Sequence, residues 1–179
     1  MIKKILFVVF ALIIVLVIVI AAQPADFSVS RSATLPHPAS AVFAQVNDLH
    51  KWQAWSPWAK LDPNAKMTYE GPESGVGAAC TWDGNSQVGA GKMTIAESKP
   101  DELVRFNMEF LKPFKAESTA EFTFKPEGDN TVVTWTMYGK NGFIGKAIHL
   151  CMDCDKMVGG EFEKGLENLK GVLAAQKSE

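Results

Sequence analysis

The alternation of apolar and polar residues between positions 67 and 138 constrains this fold more than any other feature of the chain. A strand turns successive side chains to opposite faces, so the pattern predicts strands that are apolar on one face. A sheet with one apolar face must bury it against another layer. The soluble part contains one strongly amphipathic stretch of helix length, at residues 157–173, whose apolar side chains recur every three or four positions: Phe162, Leu166, Leu169 and Leu173. We therefore predict a sheet wrapped around this C-terminal helix.

Turn residues divide the alternating region into short strands joined by hairpins. The predicted strands are residues 27–35, 67–69, 78–82, 89–98, 103–110, 116–125 and a last one that contains Val133, Trp135 and Met137. Successive hairpins predict an antiparallel meander of the later strands, to which the first strand adds a seventh. The chain also predicts a helix over about 38–47 and a short one over about 144–152, so the fold class is α+β.

The inward-facing residues of the later strands are large and soft: Phe106, Met108, Phe110, Phe122, Trp135 and Met137. Long side chains from a curved sheet and one helix can pack into a solid core or leave a cavity. Methionine suits surfaces that adapt to apolar molecules of varied shape. The pattern alone leaves both outcomes open and favours the solid core.

Three tryptophans, Trp52, Trp55 and Trp58, follow one another at intervals of three residues. On a helical turn they would lie along one side, and Pro57 would end that turn. One interpretation is a hydrophobic plug that seals the end of the sheet, with the indole N–H groups hydrogen-bonded locally. The other is an aromatic wall around an apolar ligand, and the two interpretations overlap.

Six blocks occur in the order of a known fold: VFAQVNDLHKWQAWSPW (42–58), GVGAACTWDGN (75–85), GKMTIAESKP (91–100), FLKPFKAESTAEF (110–122), TVVTWTMYG (131–139) and FEKGLENLK (162–170). Over residues 27–173 the chain resembles the polyketide-cyclase-like branch of the START-related SRPBCC superfamily, which has the helix-grip (Bet v 1-like) fold. The resemblance implies a seven-stranded curved antiparallel sheet around a long C-terminal helix, with a deep apolar cavity between them. It supplies no catalytic signature for this chain.

With that cavity implied, the inward pattern predicts the residues of a ligand pocket. They are Trp52, Trp55, Trp82, Phe106, Met108, Phe110, Phe122, Trp135, Met137, Phe162, Leu166 and Leu169.

Residues 5–22 carry no charge and follow Lys3 and Lys4. At 1.5 Å per residue they span about 27 Å, close to the ~30 Å hydrocarbon core of a bilayer. A transmembrane anchor is favoured over a cleaved signal peptide, whose apolar region is usually shorter. We expect an anchor and tether at residues 1–26 and one domain at residues 27–175. The preceding lysines place the N-terminus in the cytoplasm and the domain outside the inner membrane, facing the periplasm. A secreted domain after signal cleavage is the alternative.

The composition argues against several functional classes. A formal net charge of -2 without a basic run makes a nucleic-acid partner improbable. His37, His50 and His149 have no metal-ligand spacing, and the chain shows neither a phosphate-binding loop nor a nucleophile elbow. Asp83 and Glu121 are expected in solvated turn and surface positions. We therefore predict no catalytic residue, no metal and no cofactor.

Three further features need an explanation. Arg31 falls on the apolar face of the first strand, either at a sheet rim, where its stem is buried, or facing a pocket. Cys151 and Cys154 could form a local disulfide in an oxidising compartment or remain free thiols. Gly159 and Gly160 predict a hinge or frayed turn at the start of the C-terminal helix. Gly165 predicts close approach to a bulky partner, for which the tryptophan-rich stretch is the candidate.

These observations support three functional hypotheses. The first is a membrane-tethered domain that binds a lipid or other hydrophobic small molecule under a lid formed by the C-terminal helix. The second is a cyclase or dehydratase that acts on an apolar substrate, which would need a buried acid or base facing the cavity. The third is a structural or interaction domain of the cell envelope, which a fully packed interior would favour.

Overall fold

A computed structural model describes residues 1–176 of the chain. Its helices are α1 (Ile2–Ala22), α2 (Ala39–Val46), α3 (Trp52–Trp55), α4 (Pro57–Leu61), α5 (Phe143–Cys151) and α6 (Cys154–Gln176), with a 3-10 turn at Leu49–Lys51. Its strands are β1 (Asp26–Leu35), β2 (Lys66–Glu70), β3 (Ala79–Asp83), β4 (Ala90–Lys99), β5 (Leu103–Lys112), β6 (Ala116–Glu127) and β7 (Asn130–Lys140).

The strands form one antiparallel sheet in the order β1-β7-β6-β5-β4-β3-β2. Strands β2 to β7 follow one another as a meander, and β1 pairs with β7 so that Asp26 lies opposite Lys140. The α+β fold predicted from the alternation is therefore confirmed, with each strand within about two residues of its predicted bounds. Alternation determines strand parity well, because a shift of one residue would turn the apolar side chains to solvent.

The long helix α6 packs on β1 and on the short helices α2, α3 and α4. Its buried side chains include the predicted apolar series Phe162, Leu166, Leu169 and Leu173. The helix begins three residues earlier than predicted, so Gly159 and Gly160 lie inside it and not at its start.

The two ends of the strands form two different edges of the domain. Antiparallel pairing brings Asp26, the end of β7 at Lys140 and the β5–β6 turn to one edge, which we call the anchor-side edge because α1 precedes Asp26. The far edge carries the β4–β5 and β6–β7 turns together with α2.

Helix α1 exposes almost all of its apolar side chains, and Ile20 is its one buried residue. It is long and apolar enough to span a membrane, a property that signal sequences share. Its last turn is attached to the domain through α5, since the Lys146 Nζ donates a hydrogen bond to the Ala21 carbonyl at 3.0 Å.

Candidate functional site

The concave face of the sheet, which faces α6, has a packed part and an open part. Eight of the twelve predicted pocket residues lie in the packed part, each at most 6% exposed. They are Trp52, Trp55, Phe106, Phe122, Trp135, Phe162, Leu166 and Leu169. The other four are partly exposed toward the anchor-side edge: Trp82, Met108, Phe110 and Met137.

Aromatic rings fill the packed part. Trp135 of β7 stacks on Phe162 of α6 with ring centroids 4.1 Å apart and an interplanar angle of 8°. Trp52 meets Phe106, Phe122 and Trp135 edge-on at 5.3–6.0 Å. Aromatic pairs in these geometries attract each other beyond the effect of their buried area. The rings would have to separate before a molecule could enter this part of the core. Contact between these residues and a ligand therefore stays a prediction.

The open part forms an apolar strip made of five residues from four strands, Met67 of β2, Trp82 of β3, Met108 and Phe110 of β5 and Met137 of β7. Trp82 lies flat over Gly91 of the neighbouring strand, where an added Cβ would come within 2.5 Å of the indole. Phe110 meets the same indole edge-on at 6.0 Å. Glycine at position 91 therefore makes room for the widest side chain of the apolar strip.

Ser118 is a residue of this surface that the sequence analysis missed. It pairs with Met108 on β5 and with Gly139 on β7, and its hydroxyl is buried without a hydrogen-bond partner among the described residues. An unpaired buried polar group costs about 1–3 kcal/mol. Its inward direction could have been predicted from parity with Ala120 and Phe122, two and four residues further along the strand.

The buried indole N–H groups differ in whether they have a local hydrogen-bond acceptor. Trp52 donates to the Val46 carbonyl at 2.9 Å, so its polar end is satisfied locally as expected. Trp55 is buried with an Nε1 atom that has no partner among the described residues, so for it that expectation is wrong. The Nε1 atom of Trp135 on β7 is buried and unpaired in the same way. Both indoles could donate to a polar atom of a bound molecule or to a water molecule.

Arg31 connects β1 to the start of α6, which decides between the two interpretations of this residue. Its guanidinium donates to the Asp155 carboxylate at 2.8 and 3.1 Å and to Glu163 at 2.7 Å. It also donates to the carbonyls of Ser30 and Asp155. The hydrogen bonds from Arg31 hold the pKa of the Asp155 carboxyl below its usual range. Arg31 is thus a clamp between the edge strand β1 and α6, which agrees with the rim interpretation.

Two glycines of α6 leave space for neighbouring side chains, Gly159 for Arg31 and Gly165 for residues of the core. An added Cβ at Gly159 would overlap the Arg31 guanidinium, whereas a Cβ added at Gly160 would have no neighbour within 4 Å in the described part of the chain. The predicted hinge at this pair is therefore wrong, because Gly159 belongs to a clamped helical turn. Gly165 approaches Trp135 and Pro57, so its predicted bulky partner comes from β7 as well as from the tryptophan-rich stretch.

The titratable groups form no catalytic arrangement on the apolar strip. Asp83 pairs with Lys112 at 2.8 Å, and Glu121 pairs with Arg105 on the opposite face of the sheet. The Nδ1 of His50 lies 3.3 Å from Asp48 and its ring stacks on Tyr69, beside a surface hollow of about 280 Å³. The His50 side chain is half exposed, so this pair is not the buried acid or base that the enzymatic hypothesis needs.

The cysteines carry free thiols in this structure. Cys151 is exposed, and burial raises the pKa of the Cys154 thiol. Because the thiolate is the nucleophile, a raised pKa disfavours thiol–disulfide exchange through Cys154 at neutral pH. Within residues 1–176 no three His, Cys, Asp or Glu side chains gather as metal ligands.

In this chain a curved antiparallel sheet wraps around a long helix, and the apolar concave face of the sheet is open at one end. This arrangement is that of the helix-grip class of domains. The chain belongs to the family described as polyketide cyclase / dehydrase and lipid transport, whose model matches residues 26–174. The predicted superfamily is thereby confirmed.

Solved structures share this fold at low sequence identity. The Mll3558 protein from Rhizobium loti has a TM-score of 0.60 at 18% identity, over 83% of this chain and 98% of that chain. Ara h 8.0201 has a TM-score of 0.56 at 11% identity, over 84% and 99% of the two chains. DynU16, a protein of the dynemicin biosynthetic locus, has a TM-score of 0.57 at 15% identity, over 82% and 47%. None of the curated proteins matches this sequence.

Proposed function

We propose that the chain is a membrane-tethered domain that binds a lipid or another hydrophobic small molecule on the apolar strip. The observation that carries the proposal is the unpartnered Ser118 hydroxyl on the concave face, directly opposite Met108. A polar group at that position favours an amphiphile, whose apolar part would cover the methionines and whose oxygen would pair with the hydroxyl once the side chains that bury it move aside. The family description, which includes lipid transport, supports the same class of ligand.

Helix α1 would be the tether. Its 21 residues give a length of about 31 Å, which matches the hydrocarbon core of a bilayer. Lys3 and Lys4 precede the helix, so the positive-inside rule would place the domain outside the inner membrane and, in a Gram-negative cell, in the periplasm. Three residues separate α1 from β1, which would keep the domain next to the bilayer.

The test is binding of an environment-sensitive fluorescent fatty acid to the full chain in nanodiscs, with native mass spectrometry after gentle extraction. Met108→Glu puts a carboxylate on the apolar strip and should weaken binding more than tenfold, because the charge would be desolvated by the ligand. Asn107→Glu adds the same charge one residue away on the opposite face and should leave the affinity unchanged. Equal affinities for the two variants would contradict the site.

The hydroxyl has its own matched pair of variants. Ser118→Ala should weaken binding of the fatty acid about threefold to tenfold, the value of one neutral hydrogen bond. Thr119→Ala removes a hydroxyl from the opposite face and should have no effect. A protein that emerges without ligand and takes up no probe would argue against the whole proposal.

A further inference from the structure

The well-exposed large apolar side chains outside α1 are concentrated at one end of the domain. Within residues 23–176 they are Leu61, Val76, Leu111, Phe114, Tyr138, Phe143, Ile144, Leu150, Met152 and Met157. Val76 lies at the far edge and Tyr138 on the outer face of β7. The remaining eight belong to the anchor-side edge or to α5 and the first turn of α6, which follow it.

Helix α5 lies beside the end of the proposed tether. Lys146 of α5 is hydrogen-bonded to Ala21, and the residue before α5, Gly142, follows Asn141, whose N–H donates to the Ala25 carbonyl at 2.7 Å. His149 of α5 contacts the ring of Phe27 at 5.7 Å. The exposed side chains of α5 therefore flank the point where the chain leaves α1.

The β5–β6 turn adds a second apolar element at the same edge. Leu111 and Phe114 are exposed there, next to Lys112 and Lys115. Lys112 is paired with Asp83, while Lys115 and the exposed Lys140 at the end of β7 form no ion pair with another residue of the described range 1–176. Exposed aromatic and aliphatic side chains with lysines beside them are typical of surfaces that lie in a membrane interface.

The far edge has the opposite character. Its β4–β5 turn carries Asp101 and Glu102, and its β6–β7 turn carries Asp129 and also Glu127, which is paired with Lys125 at 3.3 Å. Acidic turns are repelled by the negative surface of a bilayer with anionic lipids. The anchor-side edge also carries the exposed carboxylates Asp26 and Asp83, so the two edges differ chiefly in their exposed large apolar side chains, of which Val76 is the one at the far edge within residues 23–176.

We propose that the anchor-side edge docks onto the bilayer, with Phe114 and the α5 residues Phe143, Ile144 and Leu150 in the interfacial layer. The proposal rests on the tether of the proposed function. The three residues 23–25 can span at most about 10 Å, so this edge cannot move away from the membrane that holds α1. Docking would turn the open end of the apolar strip toward the lipids. The ligand class that follows is a molecule dissolved in the bilayer, taken up without crossing water.

The test uses the full chain in vesicles of phosphatidylcholine and phosphatidylglycerol. Cys151→Ser and Cys154→Ser leave Cys80, which is fully buried, and burial raises the pKa of its thiol to about 11. Single cysteines are then introduced by Phe114→Cys, Ile144→Cys and Leu150→Cys, with Val76→Cys as the matched control. All four native side chains are at least 40% exposed, so the domain should fold with each substitution.

Nitroxide labels at these sites report on their surroundings through collisions with oxygen, which prefers lipid, and with a nickel chelate, which stays in water. We expect at least fivefold fewer nickel collisions at 114, 144 and 150 than at 76. Nickel access at 114, 144 and 150 equal to that at 76 would overturn the docking surface. Release of the chain by alkaline carbonate would overturn the tether and the docking together.

The outcomes separate this inference from the binding proposal. Uptake of the fluorescent fatty acid with water-accessible labels at 114 and 144 would refute docking and leave the binding site intact. Shielded labels without fatty acid uptake would support docking and refute the binding site.

Discussion

Substituting Gly165 by alanine tests whether the centre of α6 is as tightly packed as the structure indicates. An added Cβ would lie 2.7 Å from Cζ3 of Trp135 and 3.2 Å from Cδ of Pro57. The indole cannot move aside freely, because it is 2% exposed and stacked on Phe162 at 4.1 Å. The added methyl group would therefore overlap the Trp135 ring, which Phe162 holds in place.

Two opposing contributions set the magnitude. Alanine is favoured over glycine in a helix by about 1 kcal/mol. Overpacking of a well-packed core costs about 1–3 kcal/mol. The net effect of Gly165→Ala on the free energy of unfolding should therefore lie between about zero and a loss of 2 kcal/mol. Among the described residues no neighbouring side chain lies within 4 Å of a Cβ added at Gly171, so Gly171→Ala in the same helix should gain up to about 1 kcal/mol.

Urea unfolding of the full chain in mild detergent, followed by tryptophan fluorescence, measures both variants. Gly165→Ala should be less stable than Gly171→Ala by about 1–3 kcal/mol. Trp135→Phe shortens the ring that blocks the new methyl group, so in that background Gly165→Ala should cost at least 1 kcal/mol less. Equal stability of the two alanine variants, or strict additivity with Trp135→Phe, would refute the close contact.

The clamp at the start of α6 gives two further predictions. Gly160→Ala should stabilise the helix by up to about 1 kcal/mol. Gly159→Ala should instead displace Arg31 and speed amide hydrogen exchange in the first turns of α6. Equal exchange rates in the two variants would contradict the clamp. Because Arg31 lowers the pKa of Asp155, the clamp should be complete above the ordinary aspartate pKa of about 3.9 and weaken as pH falls through the lower folded-state value. Exchange corrected for its intrinsic pH dependence should therefore accelerate in wild type below that pH and not in Asp155→Asn.

Much of the fold could be predicted because alternation and helical periodicity are local properties. Parity alone turns Phe122 and Trp135 inward, and the spacing of Phe162 and Leu166 defines the buried face of α6. The same parity turns Ser118 inward. A small polar residue among apolar positions is a signal that can be recognised in the sequence before any coordinates are known.

The role of Arg31 could not be predicted in this way. Its partners Asp155 and Glu163 lie 124 and 132 residues further along the chain, and no local pattern connects them. Without that contact, Gly159 shows only a loss of helix propensity and is interpreted as a hinge. The contact with Arg31 changes the interpretation of Gly159, because glycine is the residue that leaves space for the guanidinium.

Periodicity also shows which face a residue occupies but not how far a helix covers that face. Phe106 and Phe110 share one strand and one face, yet Phe106 is fully buried and Phe110 is partly exposed. The difference arises because Trp52 of α3 covers Phe106, with ring centroids 5.3 Å apart. The division of the predicted pocket residues into packed and open sets is therefore a tertiary property.

The position of α6 bears on how a ligand would exchange. The helix is fixed near its start by Arg31 and at its centre by the stack of Trp135 on Phe162. A lid movement would have to break both contacts, including charge-assisted hydrogen bonds that are roughly twice as strong as neutral ones. The apolar strip is already open at the anchor-side edge, so a ligand that enters there needs no movement of α6. If that edge rests on the bilayer, exchange should depend on contact with lipid and not on opening of the helix.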